Sequence, residues 1–328
     1  MTTTTSTSAN PELRKRVESL RSLPSSPAVL KPLLDLLRRP PDEIELSQVV
    51  QLVSYEKTIA AQLLRIANSP LYARARPTET IQSAIFTLGI QRIEDILLSN
   101  CFSNLVPKDK WVVDPAVFWR HSFGCALVCR EFAERIEYYD PDKAYLSGLP
   151  HDLGIIVNSL AYTDEFRAVL AVAVQSGRPL HEQEKEMLDF THCDSGVILG
   201  KTWQLPDAIC EVIEWHHDVE HGPPGNPFIA LTHLGDLLCR VRNLGYGYEE
   251  WRAIDMAADP AWSELSRHCP KMATLDLARF TLDMDAYIAR TTKLVDTIFS
   301  PQIVTIVAVA RSKTLVAQVL QRIAGEQM

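Results

Sequence analysis

Histidines and carboxylates with the types and spacing of metal ligands stand out between residues 121 and 236 of this sequence. Two of these sites are adjacent pairs, His151–Asp152 in LSGLPHDLGIIV and His216–His217 in VIEWHHDVEHG. Imidazole and carboxylate together are the ligands of borderline divalent metals such as iron, zinc and manganese. Single candidates lie in similarly apolar segments: His121 in FWRHSFGCAL, His192 in DFTHCDSGVIL and Asp236 in LTHLGDLL.

The geometry of a helix decides how such residues could meet. Neighbouring helical side chains point about 100° apart, so an adjacent pair can flank one metal from two sides. For the His216–His217 pair we expect only one imidazole to face the centre, and the apolar residues before it favour His216. A helical bundle can direct these groups inward from several helices to one point, which predicts a single metal centre.

A second interpretation competes with the metal centre. A histidine flanked by apolar residues is commonly a hydrogen-bonded core residue, and the residues alone leave both interpretations open. We expect four further histidines to be hydrogen-bonded structural residues of this kind and not metal ligands: His181, His221, His233 and His268.

The elements that must position these residues are helices. Apolar residues follow a helical period from about residue 11, and hairpin signals are scarce, which predicts an all-α fold. An N-terminal bundle includes helices over Ser47–Val53, Thr58–Ala67, Thr80–Leu88 and Ile90–Leu105. We expect Gly89 to end one of them in a left-handed conformation, and Asn68 to cap its helix or hold the following loop.

The run PKDKWVVDP interrupts the helical pattern and predicts a domain junction. The expected organisation is a disordered tail (residues 1–10), an N-terminal helical bundle (11–108), a second helical domain with the candidate ligands (109–245) and a helical C-terminal extension (246–328).

Composition and charge exclude several classes of function. The 33 basic and 41 acidic residues give a net charge of −8, which argues against a broad nucleic-acid-binding face. Seven cysteines without a CxxC pair indicate a reducing cytosol, and Cys125 and Cys129 are expected as buried thiols on one helix. The sequence has no apolar run of roughly 18 residues and its first ten residues do not form a signal peptide, so a cytoplasmic location is expected.

The sequence resembles the HDOD domain, the HD-related output domain of bacterial signalling proteins. LPSSPAVLKPLLDLL begins the resemblance, and LLRIANS followed by TLGIQR is its most specific part. The later segments WRHSFGCALVCREFA, YLSGLPHDLGIIV and LDFTHCDSGVILGKTWQLPDAICEVIEWHHD continue it. It covers residues 19–240, and it implies an HD-like helical domain after the N-terminal bundle.

This resemblance implies a set of metal ligands. The HD superfamily contains metal-dependent phosphohydrolases, and four residues match its basic pattern: His121, His151, Asp152 and Asp236. Two more match the extra histidines of the HD-GYP cyclic-di-GMP phosphodiesterases: His192 and His216. The resemblance thus implies a divalent iron, manganese or zinc centre, with Asp152 as the bridge of a two-metal site.

Two departures favour a regulatory role over catalysis. Where HD-GYP enzymes carry HDxGK, Ile155 follows Gly154, so an ammonium that could bind phosphate is missing. The GYP loop is replaced by DVEHGPPGNP. Three functions remain: a signalling module that binds a protein partner and a cyclic dinucleotide or another nucleotide, a metal-dependent phosphohydrolase, and a helical scaffold. We expect the first and assign no catalytic residue; the sequence does not indicate the oligomeric state.

Overall fold

The computed structural model describes residues 11–19, 43, 45–55, 63–64, 66–68, 78–89, 93, 111–138, 140–242, 244–246 and 255–299. Within these ranges the regular structure is helical and no strand occurs, which confirms the all-α fold class. The helices that have full bounds are α1 (Pro11–Ser19), α2 (Leu46–Tyr55), α3 (Ile81–Leu88), α4 (Pro115–Arg135), α5 (Pro141–Gly148), α6 (Leu153–Ala161), α7 (Thr163–Ser176), α8 (Leu180–Leu188), α9 (His192–Thr202), α10 (Asp207–Trp215), α11 (Pro227–Val241), α12 (Pro260–His268), a 3₁₀ helix (Pro270–Thr274) and α13 (Leu277–Phe299).

The chain divides into two compact units. The larger unit contains the described residues 11–19 and 111–289, and the smaller unit contains those between 43 and 93 together with 290–299. α1 was expected in the N-terminal bundle, but it groups with the larger unit because its buried Leu13 and Val17 lie on the face that packs against α9 and α6. The expected boundary at residue 108 stays a prediction, since residues 94–110 lie outside the described part.

Residues at the helix ends of the smaller unit have the hydrogen bonds and backbone conformations that their residue types favour. Thr80 caps α3 by accepting a hydrogen bond from the Ser83 amide (3.1 Å), and Gly89 ends it with φ +82°. Asn68 donates to the Thr78 carbonyl (2.9 Å) and accepts from the Thr78 amide (2.7 Å). The prediction that Asn68 holds the following loop is therefore confirmed.

A continuous apolar core organises the larger unit. α4 begins at Pro115, where Asp114 caps the first turn by accepting from the Ala116 amide (2.7 Å). This 21-residue helix packs against α5 and α11 and contributes Phe132 to the core. The core extends past residue 246 to Phe280 of α13, so the described residues 255–289 pack into the larger unit.

Two glycines let α6 and α9 approach backbone to backbone. A Cβ on Gly154 would lie 1.7 Å from the His192 carbonyl oxygen and 2.8 Å from the Gly196 amide nitrogen. No side chain fits such a gap, so glycine is required here by the close approach. The contact joins the segment after Asp152 to the segment that begins with His192.

The cysteines behave as small core residues. Cys125 and Cys129 are both fully buried on α4, with their Sγ atoms 4.0 Å apart, as predicted. All six cysteines of the described ranges are free thiols. The described helices include none with the length and apolarity needed to cross a membrane.

Several expectations fall outside the described residues. They are the disordered tail (1–10), most of the helix Ile90–Leu105, and the end of the C-terminal extension (300–328).

Candidate metal centre

Five separate segments of the larger unit bring the six predicted residues to one place. His121 lies in the second turn of α4, and Asp236 lies in the interior of α11. His192 is the first residue of α9, and His216 directly follows α10. None of the six residues is more than 3% exposed. The predicted convergence of imidazoles and carboxylates is therefore present.

The His151–Asp152 pair lies in a tight turn and not on a helix, which corrects the helical geometry expected from the sequence. α5 ends at Gly148, Pro150 follows, and the Leu153 amide donates to the Pro150 carbonyl (3.0 Å) before α6 begins. Proline has no amide to donate, so it stops α5 and begins the turn. Asp152, at φ −99° and ψ 19°, places its carboxylate at the centre of the cluster.

Asp152 divides its two carboxylate oxygens between two pairs of imidazoles. Oδ2 lies 3.2 Å from Nε2 of both His121 and His151. Oδ1 lies 3.2 Å from Nε2 of His192 and 3.5 Å from Nε2 of His216. The centre therefore has two sides that share one carboxylate.

Asp236 adds a second carboxylate to one side only. Its Oδ1 lies 3.2 Å from His121 Nε2, and the Nε2 atoms of His121 and His151 are 3.1 Å apart. Asp236 Oδ2 accepts a hydrogen bond of 2.6 Å from Arg240 Nη2, one turn along α11. We call His121, His151, Asp152 and Asp236 the first position, and Asp152, His192 and His216 the second position.

Hydrogen bonds at Nδ1 fix the orientation of the imidazoles. His121 Nδ1–H donates to the Leu244 carbonyl (2.9 Å), and His151 Nδ1–H donates to the Gly148 carbonyl (2.7 Å). His216 Nδ1–H points at the Val212 and Ile213 carbonyls, each 3.1 Å away. A carbonyl oxygen can only accept, so the proton of each neutral imidazole lies on Nδ1 and its Nε2 carries a lone pair.

The fourth imidazole is oriented by a buried carboxylate. Glu184 Oε2 accepts from Nδ1 of His192 (2.6 Å) and from its backbone amide (2.9 Å), while Asn158 Nδ2 donates to Oε1 (2.9 Å). Glu184 and Asn158 are both fully buried. Glu184 was missed from the sequence, because LHEQEKEML reads as an ordinary charged surface helix.

Lone pairs on Nε2 facing carboxylate oxygens repel unless a cation or a proton lies between them. The Nε2 atom of buried His216 has no hydrogen-bond partner among the described residues. Atoms bound to one metal at about 2.1 Å lie roughly 3.0 Å apart when they are adjacent in an octahedron. The observed separations of 3.1–3.5 Å are close to this value, so the donor set fits divalent cations.

His217 also faces the centre, contrary to the expectation that only one of the pair could. Its Nε2 lies 3.2 Å from His192 Nε2, and its Nδ1 lies 3.9 Å from Asp236 Oδ2. The reason is that α10 ends at Trp215 with His216 as its C-cap (φ −63°, ψ −16°), so His217 lies beyond the helix in a turn and is not held to a helical direction. His181 stacks on His217, with ring centroids 4.1 Å apart.

The electrostatics show how the cluster compensates its buried charge without a metal. Burial alone would raise the pKa of Asp152, but the surrounding imidazoles, His151 foremost, hold it well below its usual range. Burial opposes a charged His121, yet the hydrogen bonds that its protonated imidazole donates to Asp152 and Asp236 raise its pKa to about 9. Protonated imidazoles therefore take the place that a cation would occupy.

The sequence and this arrangement can be compared with known protein families. A helical larger unit with a buried His–Asp centre is the arrangement expected of an HD-related domain. The sequence matches the HDOD domain family over residues 23–219, which is more than half of the chain. The chain belongs to the HDOD domain family.

Solved structures share the fold. The chain is similar to an HDOD domain protein of unknown function from Geobacter sulfurreducens (TM-score 0.72, 24% identity, 88% of this chain and 97% of that chain). It also resembles a candidate signal transduction protein from Marinobacter aquaeolei (0.68, 19%, 93% and 65%) and a candidate phosphohydrolase from Shewanella amazonensis (0.61, 20%, 87% and 97%). An uncharacterised protein of Treponema pallidum is 24% identical over 243 residues, 72% of this chain and 45% of that protein.

Proposed function

We propose that this chain is a signal-transduction module of the HDOD kind, in which the larger unit binds a pair of divalent cations as a closed regulatory centre. The module acts by binding a protein partner in the cytoplasm, and the centre sets the state of the larger unit. One observation carries the metal pair: both oxygens of Asp152 face two imidazole nitrogens each, at 3.2–3.5 Å.

The burial of the centre supports regulation over turnover. Structural metal sites are closed by protein ligands, whereas catalytic sites keep an open position for water or substrate. The six predicted ligands are at most 3% exposed, and Tyr246 and Leu244 contact the centre from the segment after α11. The fully buried Ile155 occupies the place where the related enzymes carry lysine, and its apolar side chain supplies no ammonium to the centre.

Hydrolysis of a phosphoester, with a cyclic dinucleotide as one candidate substrate, is the second function. It is favoured by the complete set of His121, His151, Asp152, His192, His216 and Asp236, which provides the donors of a two-metal site. A metal pair supplies an activated water and stabilises charge on phosphorus. The chain's own part would be to hold the two positions through Asp152, while His217, with its side chain 11% exposed, lies nearest to solvent among the clustered histidines.

Elemental analysis of the purified protein tests the metal pair. Up to two iron, manganese or zinc ions per chain are expected, and the double variant H151A/D152A is expected to lose both. His221→Ala is the matched control, because His221 is exposed and pairs only with nearby Asp218 (2.7 Å) among the described residues. Metal-free wild-type protein after reconstitution with each ion would refute the proposal.

Two further measurements separate the two functions. The reconstituted protein is incubated with cyclic di-GMP and with bis(p-nitrophenyl) phosphate in the presence of manganese or iron. Absence of turnover agrees with the regulatory centre, while turnover abolished by H151A/D152A would establish the hydrolase.

A pull-down with metal-loaded and metal-free chain then tests the partner. Capture of a partner that does not depend on the metal would contradict a centre that sets the binding state.

A further inference from the structure

Tyr246 lies directly on the carboxylate that the four imidazoles share. Its phenolic oxygen donates a hydrogen bond of 2.5 Å to Asp152 Oδ2. The oxygen that accepts this hydrogen bond, Asp152 Oδ2, lies 3.2 Å from Nε2 of both His121 and His151. The tyrosine is only 8% exposed, so its hydroxyl belongs to the first position and not to the surface.

Packing of its own segment holds Tyr246 in place. Its ring lies 4.7 Å from the His121 ring and is stacked on Phe118 at 6.3 Å, measured between centroids. The carbonyl of Leu244 accepts the Nδ1–H of His121, and a Cβ on Gly124 would lie 2.7 Å from Leu244 Cδ1. The segment 244–246 is therefore fixed against α4, and the hydroxyl position follows from this packing.

With Tyr246 included, the first position offers five donor atoms from five side chains. Three of them are oxygens, contributed by Asp152, Asp236 and Tyr246, and two are imidazole nitrogens. Two carboxylates and a phenolate carry three negative charges, a set of hard anionic donors that suits a small trivalent cation better than a soft or divalent one. Tyrosine is an established protein ligand of iron in haem proteins.

We propose, resting on the metal centre of the proposed function but with ferric iron in place of a divalent cation at the first position, that Tyr246 binds this cation as a phenolate and makes the position selective for ferric iron. On binding, the phenolic O–H bond breaks, an O–Fe bond forms, and the proton passes to the buffer. Iron enters as Fe³⁺, so no electron is transferred. The hydrogen bond from Tyr246 to Asp152 is the metal-free form of the same contact.

Titration of the metal-free chain with ferric nitrilotriacetate tests this assignment. A visible phenolate-to-iron charge-transfer band is expected to grow until the first position is filled, with one more proton released than in Tyr246→Phe. Tyr246→Phe is expected to bind iron without this band. Tyr162→Phe is the matched control, because Tyr162 is also buried but packs on Phe190 at 4.8 Å between ring centroids; it is expected to keep the band.

The outcomes separate this inference from the metal centre. Iron bound without a visible band, or a band that persists in Tyr246→Phe, would remove Tyr246 as a ligand and leave the metal centre intact. Binding of zinc or manganese with rejection of ferric iron would likewise overturn the selectivity. Failure to bind any metal would refute both the proposed function and this inference.

A second variant keeps the test valid if Tyr246→Phe does not fold. Site-specific incorporation of 3-fluorotyrosine at residue 246 preserves the ring and its packing but changes the electron density on the phenolate. The charge-transfer band is then expected to move to a different wavelength, and an unchanged band in the fluorinated protein would refute the assignment.

Discussion

Glu184 receives two hydrogen bonds from His192, one from the ring Nδ1 at 2.6 Å and one from the backbone amide at 2.9 Å. The pair fixes both the tautomer and the orientation of this imidazole, whose Nε2 then faces Asp152 Oδ1 at 3.2 Å. Carboxylates that orient a ligating histidine raise its basicity and support the affinity of the metal.

Glu184→Gln is expected to weaken metal binding at the second position by about 10–100-fold. An amide can still accept the backbone hydrogen bond, but it does not hold the imidazole proton as strongly as a carboxylate does. Isothermal titration with zinc, comparing the two binding events, measures the effect. Glu182→Gln is the control, since that carboxylate binds Arg178 on the surface of α8; equal losses at both positions in Glu184→Gln would contradict selective orientation of His192.

We expect that substitutions can remove the proposed metal from each position separately. Asp236→Asn is expected to abolish binding at the first position and to retain one metal per chain, because Asp236 Oδ1 contacts His121 on that side only. His192→Ala is expected to do the reverse, while Asp152→Asn impairs both, since its oxygens serve both sides. Metal content per chain of the three variants is the measurement, and loss of both metals in Asp236→Asn would contradict two separable positions.

Gly154→Ala is expected to destabilise the larger unit by more than about 3 kcal/mol, above the usual range for overpacking. The new methyl group would lie 1.7 Å from the His192 carbonyl oxygen, and a backbone atom cannot move aside as a side chain can. Gly200→Ala on α9 is the control, because its nearest neighbour is the Cys210 Sγ at 3.3 Å. Urea unfolding measures both variants, and equal losses of stability would argue against a rigid backbone contact.

The metal-free protein is expected to lose stability as the pH rises from 6.5 towards about 10. Burial lowers the pKa of both His121 and His216, but Asp152 and Asp236 raise the pKa of His121 to about 9, and Cys193 and Asp152 raise that of His216 to about 10. A raised pKa in the folded state contributes stability that is complete below 6.5 and is lost as the pH passes through the folded-state value. His151 has a lowered pKa, so it does not add to this effect.

Thermal unfolding in the presence of a chelator measures this dependence. The midpoint is expected to fall steadily over the stated pH range, and His121→Asn is expected to flatten the curve because one of the titrating groups is gone. Metal affinity is expected to change in the opposite sense and to rise with pH, since cations and protons compete for the same nitrogens. A constant midpoint across this range would contradict protonated imidazoles in the centre.

Asn68→Ala is expected to destabilise the smaller unit by about 1–3 kcal/mol, because both hydrogen bonds to Thr78 are lost at about 0.5–1.5 kcal/mol each. Thr78 is 5% exposed, so its amide and carbonyl have limited access to water as a replacement. Chemical unfolding of the full chain checks the loss, with Gln82→Ala on the exposed face of α3 as the control. An unchanged midpoint would show that the two hydrogen bonds do not contribute.

Much of the fold follows from local signals that the sequence contains. Thr80 and Gly89 bracket α3 because a hydroxyl that accepts an amide and a residue that tolerates positive φ are both properties of single residues. The assignment of α1 to the larger unit could not be predicted. Its amphipathic pattern shows that Leu13 and Val17 are buried, but a pattern does not name the surface that covers them.

The candidate site likewise contains residues that could be predicted from the sequence and residues that could not. The six residues with imidazole and carboxylate groups could be found by type and by resemblance, and they do converge. Glu184, Tyr246 and His217 could not be placed, because their roles depend on contacts between distant segments. Tyr246 meets Asp152 across 94 positions of the chain, and no local pattern encodes that distance.

The backbone contact between Gly154 and Gly196 has a consequence for ion selection. It fixes the spacing between the turn that carries Asp152 and the start of α9 that carries His192, so the second position cannot widen or contract freely. A cation whose radius departs from the built-in gap would have to distort two helices, whereas one of matching size would not. For the proposed metal centre, we therefore expect the main chain itself to discriminate between cations by ionic radius.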